Sequence, residues 1–191
     1  MYSMSWLSKI IDKVPYEGCF ILFKKYLLKL IERKMKTNIG ITDVNRQAVA
    51  SELAKLLADE YVLYTKTRNA HWNIEGQDFY DKHKFFEFQF EQLDTIVDNV
   101  AERIRSIGHY AYATLKSFLE LTHLTEVNNE KNDSNGYLTE LLIDHESIII
   151  HCREKIHLFG SEYKDLGTGD FITQLMEQHE KMAWLIRSHL K

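Results

Sequence analysis

From residue 43 onward, apolar positions recur every three or four residues, the period of helices that turn one face to a core. Val49, Leu53, Leu56, Leu57, Leu63 and Tyr64 repeat on one side of a segment running to about Asn73, with Thr42 or Asp43 placed to cap it. Residues 73–77, containing Gly76, read as a short loop. A second helix is predicted over residues 78–107. Its Phe86, Phe90, Leu93, Val97, Val100, Ile104 and Ile107 are spaced 4-3-4-3-4-3, a bundle-facing stripe that Gly108 ends. A longer connection follows, in which residues 114–122 form a short helix and the polar run 128–136 a loop. The third helix carries Leu138, Leu141, Leu142, His145, Ile148, Ile149, Cys152 and Ile156. After residues 160–169, a fourth takes Phe171, Leu175, Met182, Leu185 and Ile186 to the C-terminus. This order predicts an all-α four-helix bundle, with a long crossover carrying a short helix between helices two and three.

Composition supports long helices. The 191 residues include one proline, Pro15, and eight glycines, and 45% are apolar, enough for one domain with a substantial core. Two cysteines, Cys19 and Cys152, make no disulfide framework and fit a reducing, cytoplasmic location.

Charge divides the chain. Residues 1–34 hold seven basic side chains against three acidic ones, a net +4, which leaves about −8 for the remainder. A body this acidic should attract cations and repel nucleic acid. In the first 34 residues, Phe20, Phe23, Leu27, Leu30 and Ile31 lie roughly on one side of a possible helix, with lysines beside them. Such a segment can touch a membrane, DNA or a partner; equally, it is an extension appended to a protein whose core begins at Met35. Lys24 and Lys25 cut the apolar run 19–23 short of a membrane span, and no small-residue cleavage site follows it. The expected organisation is an N-terminal basic and apolar extension over 1–34 and a bundle domain over 35–191.

The second helix carries another stripe. His83 and Glu87 are four apart, as are Asp98 and Glu102, and Glu87 to Asp98 is eleven residues, about three turns. All four therefore point to a similar side, roughly 110° from the apolar stripe and flanking the core. Glu91 and Asp94 share roughly that side. Eleven residues also separate the two pairs by ~16 Å along the helix, whereas paired catalytic metals sit about 3.5–4 Å apart. One helix cannot bring both pairs to one centre. Two copies crossing antiparallel about a twofold axis can set His83 and Glu87 of one chain against Asp98 and Glu102 of the other. A mixed imidazole and carboxylate set suits Fe(II). By these residues alone, a solvated face with local charge pairing explains the stripe as well.

The stretch Ala70-His71-Trp72-Asn73, then Gly76, Phe79, His83, Glu87, Asp98 and Ala101-Glu102-Arg103, resembles the signature of the Dps-type miniferritins. The C-terminal Gly167-Thr168-Gly169-Asp170 and His179-Glu180-Lys181 with Trp184 resemble that family's last helix, so the likeness covers roughly residues 35–191. The resemblance implies a ferritin-like bundle that assembles into a hollow homo-oligomeric shell, a dodecamer. It implies an iron site at the twofold subunit interface, with His71, His83 and Glu87 from one subunit and Asp98 and Glu102 from its mate. Fe(II) is then oxidised, with hydrogen peroxide more than oxygen as oxidant, and stored as ferric mineral. Glu87 departs from the pattern, because the family commonly has Asp there; the extra methylene displaces the carboxylate. Trp72, beside His71, is implied to donate an electron or quench a radical near the site, or else to pack at an interface.

Three other readings stand beside this one, and the intact ligand spacing tells against the simplest, a metal-free structural or interaction bundle. Glu120-x-x-His123 and Glu154-x-x-His157 match the Glu-x-x-His motif of iron sites inside one bundle, but Glu120 falls in the crossover, so both read as chance surface pairs. A DNA-binding, nucleoid-compacting shell with weak or no ferroxidase activity is the alternative function; binding to DNA is possible without being predicted.

Overall fold

The computed structural model describes residues 25–27, 37–126 and 132–191. The chain divides into two compact units, Met1–Asn38 and Ile39–Lys191. In the first, residues 25–27 are helical; the rest of the amphipathic segment expected within 1–34 lies outside the described residues, as do residues 128–131 of the expected loop.

The second unit is built from helices: α1 (Asp43–Asn73), α2 (Phe79–Ser106), the short α3 (Leu115–Leu121), α4 (Ser134–His157) and α5 (Leu166–His189). Each begins or ends at an identifiable device. The Thr42 hydroxyl accepts a bond from the Asn45 amide at 3.2 Å and opens α1. The chain then reverses through Gly76, whose φ of +132° is open to glycine alone. Gly108, at φ +93°, closes α2 as predicted. Thr114 caps α3 through the Ser117 amide at 3.1 Å.

Two boundaries differ from expectation. Asp133 accepts from the Gly136 amide at 2.8 Å, so α4 starts at Ser134, inside the run expected to be loop. The expected loop at 160–169 is instead one π turn, Leu158–Glu162, and a short link, after which α5 already starts at Leu166. Glycines 160, 167 and 169 signal a break by propensity. A local cap, braced by one long-range bond, overrides it: the buried Asp165 carboxylate accepts from the Thr168 amide (2.9 Å), the Thr168 hydroxyl (2.6 Å) and Arg103 of α2 (3.0 Å).

α1 packs with α2 and α4 with α5, and α3 lies against α1, where the Tyr61 and Phe118 rings stack at 4.5 Å. The sides close on one core that includes Leu53, Leu57, Leu63, Phe86, Leu93, Ile104, Leu138, Ile148 and Ile186. Each fully buried side chain of this kind stabilises the fold by roughly 1.5–3 kcal/mol.

The buried face of α2 is not quite the predicted one. Phe86, Gln89, Leu93, Ile96, Val100 and Ile104 are buried, while Phe90 and Val97 are only partly so. The core face is thus rotated away from the His83–Glu102 stripe, to roughly 150° from it at 100° per residue. The stripe does not flank the core; it lies nearly opposite, and Asp98 and Glu102 are exposed.

Candidate metal centre

His71 ends α1 and His83 begins α2, and the tight turn between them folds one ring onto the other. The rings stack with centroids 3.8 Å apart and planes at 22°. Their bonds cross: His71 Nδ1 donates to the His83 carbonyl at 2.9 Å, and His83 Nδ1 donates to the His71 carbonyl at 2.8 Å. The His71 carbonyl is one of the four that a helix end leaves without an intrahelical partner. A carbonyl only accepts, so the hydrogen is on Nδ1 in both rings, and in the neutral form of each ring Nε2 carries the lone pair. That tautomer is the one a metal-binding imidazole needs, with the second nitrogen orienting the ring.

Aromatic rings enclose the pair. Phe90 meets His71 edge-on at 5.1 Å, and Phe79 stacks on His83 at 5.2 Å. The Arg68 guanidinium lies 4.4 Å from the Phe90 centroid and 5.0 Å from that of Trp72. Phe90 leaves the predicted core stripe to make these contacts. Trp72 itself is 62% exposed in the single chain, and Trp184 58%.

Glu87 follows one turn after His83. Lys84 donates to its Oε2 at 2.5 Å, and that bond, reinforced by the Lys84 charge and the neighbouring histidines, holds the carboxyl below its ordinary range. Asp98 and Glu102 are carried further along α2, beyond reach of His71 and His83 within one chain. One subunit thus brings the two histidines together, with Glu87 a turn further along α2 and held by Lys84, and presents the other two carboxylates elsewhere on its surface.

The two Glu-x-x-His pairs do not form centres of their own. Glu120 pairs with Lys116 at 3.7 Å, and His157 Nδ1 is 2.9 Å from the Ser161 hydroxyl. His123 is more than a surface pair: it meets Asp59 of α1 and His151 of α4, the one group of three metal-capable side chains converging among the described residues. Spacing could not reveal it, since Asp59 and His123 are 64 residues apart. Also missed was a buried polar row through the core, Glu60, His179 and His145.

Residues 50–191 match the ferritin-like domain. A low temperature-induced protein of Nostoc sp. is 38% identical over 156 residues, covering 82% of this chain and 87% of that protein. The DNA protection during starvation protein 2 of Bacillus anthracis is 30% identical over 147 residues, covering 77% and 99%. Among solved structures, the Dps protein of Vibrio cholerae O1, described as a member of a broad superfamily of ferritin-like diiron-carboxylate proteins, superposes with a TM-score of 0.77 at 28% identity, covering 82% and 97%. With the four-helix architecture, the crossover helix and the signature residues of α1 and α2 in place, this chain belongs to the ferritin-like proteins and, among them, to the Dps-type miniferritins.

Proposed function

We propose that the protein sequesters iron as a ferroxidase, with His71, His83 and Glu87 of one subunit and Asp98 and Glu102 of a twofold mate binding Fe(II) between them. The observation that carries this reading is the crossed His71–His83 pair, which ties up both Nδ1 atoms and leaves Nε2 of each neutral ring for a metal, one helical turn from Glu87. Imidazole nitrogens and carboxylate oxygens together are a ligand set suited to Fe(II). The outward position of Asp98 and Glu102 supports a shared site, because a second chain can cover them. Exposed Trp72 and Tyr80 give the same region apolar surface for such a contact.

Iron is the substrate in this scheme. Two ferrous ions each give one electron to hydrogen peroxide, which takes up two protons and leaves as two waters. Two-electron reduction at paired irons releases no hydroxyl radical, so the activity is protective. Trp72, next to His71 in the chain, is the residue that would supply or quench a stray radical electron. Ferric product is stored as mineral in a homo-oligomeric shell, a dodecamer, built from residues 35–191, to which 1–34 is an appended segment. Among the described residues no helix is long and apolar enough to cross a membrane. Free, buried Cys152 fits a cytoplasmic location.

The test is anaerobic Fe(II) loading of the purified full chain followed by peroxide, with oxidation followed optically beside the mass of the particle. Rapid stoichiometric oxidation in a large oligomer is expected. A monomer that oxidises no iron above buffer overturns the reading. A DNA-compacting shell is the second reading. It draws on the name of the Bacillus relative and the +4 of residues 1–34. Binding that weakens steeply with salt would favour it.

A further inference from the structure

We infer a second cation site, separate from the proposed ferroxidase centre, in which Asp59, His123 and His151 hold a divalent first-row transition ion. The three residues come from α1, from the segment just after α3, and from α4, and one ligand atom of each lies within 4.8 Å of the others. Asp59 is 2% exposed and held in a fixed attitude. Its Oδ1 accepts from the Thr122 hydroxyl at 2.7 Å and from the His123 amide at 2.6 Å. That leaves Oδ2 turned toward the His123 ring, 3.3 Å from Nδ1.

An ion pair between Asp59 and His123 accounts for two of the three residues. It does not account for His151. The His151 ring stands 4.5 Å from the His123 ring, and its Nδ1 is buried without a hydrogen-bond partner among the described residues. A buried ring nitrogen without a partner, on a ring that converges with a second imidazole and a carboxylate, has its requirement met by a cation. Two imidazoles and a carboxylate are ligands of Zn(II) and Fe(II) alike, and three protein ligands leave a position for water.

The site opens on a cavity of about 140 Å³, enough for an ion with coordinated water. Lys55 and Lys155 line the same cavity, but both ammonium groups are engaged by Glu52, at 2.9 and 2.8 Å. Glu154 adds a further acidic group to the lining. Ligand atoms around a tetrahedral ion at ~2.1 Å stand ~3.4 Å apart, so the three must draw in slightly. His123, at 45% side-chain exposure, has the freedom to do so while Asp59 stays anchored. Bound there, the ion clips the crossover segment to α1 and α4.

The experiment is a Co(II) titration of metal-free full-length protein, read by visible absorption and by ions bound per chain. It is made in a His83→Ala/Glu102→Gln background, so that it does not depend on the interface centre. One Co(II) per chain is expected to remain in that background and to disappear when His123→Ala and His151→Ala are added. Equal stoichiometry with and without those two histidines overturns the inference. Should the quadruple variant fail to fold, anomalous diffraction from Zn(II)-soaked crystals of the unaltered protein decides. A peak among Asp59, His123 and His151 supports the site, and none there overturns it.

Discussion

The Nδ1 atoms of His145 on α4 and His179 on α5 face each other at 2.9 Å inside the bundle. Two ring nitrogens at that distance share one hydrogen, so one ring donates and the other accepts. Fully buried Glu60 continues the row, its Oε1 3.0 Å from His179 Nε2. Burial, and then the neighbouring His179, push His145 well below the ordinary histidine value of 6.5.

Stability should therefore fall with acid. A histidine depressed in the fold binds fewer protons there than in the unfolded chain, so its contribution is complete above pH 6.5 and is lost as pH drops below it. Between that pH and one unit lower, His145 alone should cost about 1 kcal/mol. His109 and His189, both lowered chiefly by burial, act in the same direction. Urea midpoints measured across that interval should drop in the parent and drop less in His145→Gln. Identical slopes would remove His145 from the account.

A shared centre can be separated from one held within a single chain by complementation. His83→Ala and Glu102→Gln should each abolish most peroxide-driven iron oxidation. In a mixed dimer, one of the two sites joins the intact His83 of one chain to the intact Glu102 of the other. Dissociating and reassembling equal amounts of the two variants should restore about a quarter of the parent rate. No recovery from correctly assembled mixtures would place both residues in the same subunit's site.

In the proposed centre Lys84 would compete with iron for Glu87, since its ammonium already occupies one carboxylate oxygen. Water screens an exposed pair of this kind, so the competition is weak. Lys84→Met should accordingly lower the Fe(II) Kd by up to about fivefold, measured by anaerobic calorimetry. A weaker or unchanged affinity would mean that Glu87 does not bind the ion. Glu87→Asp tests the same carboxylate from the other side, by withdrawing it one methylene.

Lys66 is a buried counter-charge of the bundle. Its ammonium meets Asp144 at 2.5 Å and Glu140 at 2.8 Å, and donates to the Thr125 carbonyl at 3.1 Å. Burial raises the Asp144 carboxyl despite that partner. Lys66→Met should destabilise the fold by about 3–5 kcal/mol, because two carboxylates lose their cation. Asp144→Asn in the same chain should recover part of the loss. Chemical unfolding of the single and double variants reads both.

The helices of the bundle were legible in the chain because each rests on local signals. Thr42, Gly108 and Thr114 act as caps or stops where their chemistry predicts, and a 3.6-residue period needs no knowledge of the partner surface. The partition of the α2 stripe was legible for the same reason, since eleven residues of helix have a fixed length. Other features depended on what packs against them. Glycines 160, 167 and 169 pointed to a loop, but Asp165 caps α5 through the Thr168 amide, and Arg103 of α2 holds that carboxylate in place. Phe90 fitted the core stripe by spacing, yet Arg68 and His71 draw it outward and Gln89 and Ile96 take the buried positions.

By itself, then, the sequence determined the helical class, the order of the elements and the His71–Glu102 signature, all properties of short segments with regular backbone geometry. Tertiary structure alone decided the crossed bonds of His71 and His83, the buried row from Glu60 to His145, and the meeting of Asp59, His123 and His151. Those contacts arise where separate helices and the crossover fold against one another, and no periodicity within a single segment encodes that approach.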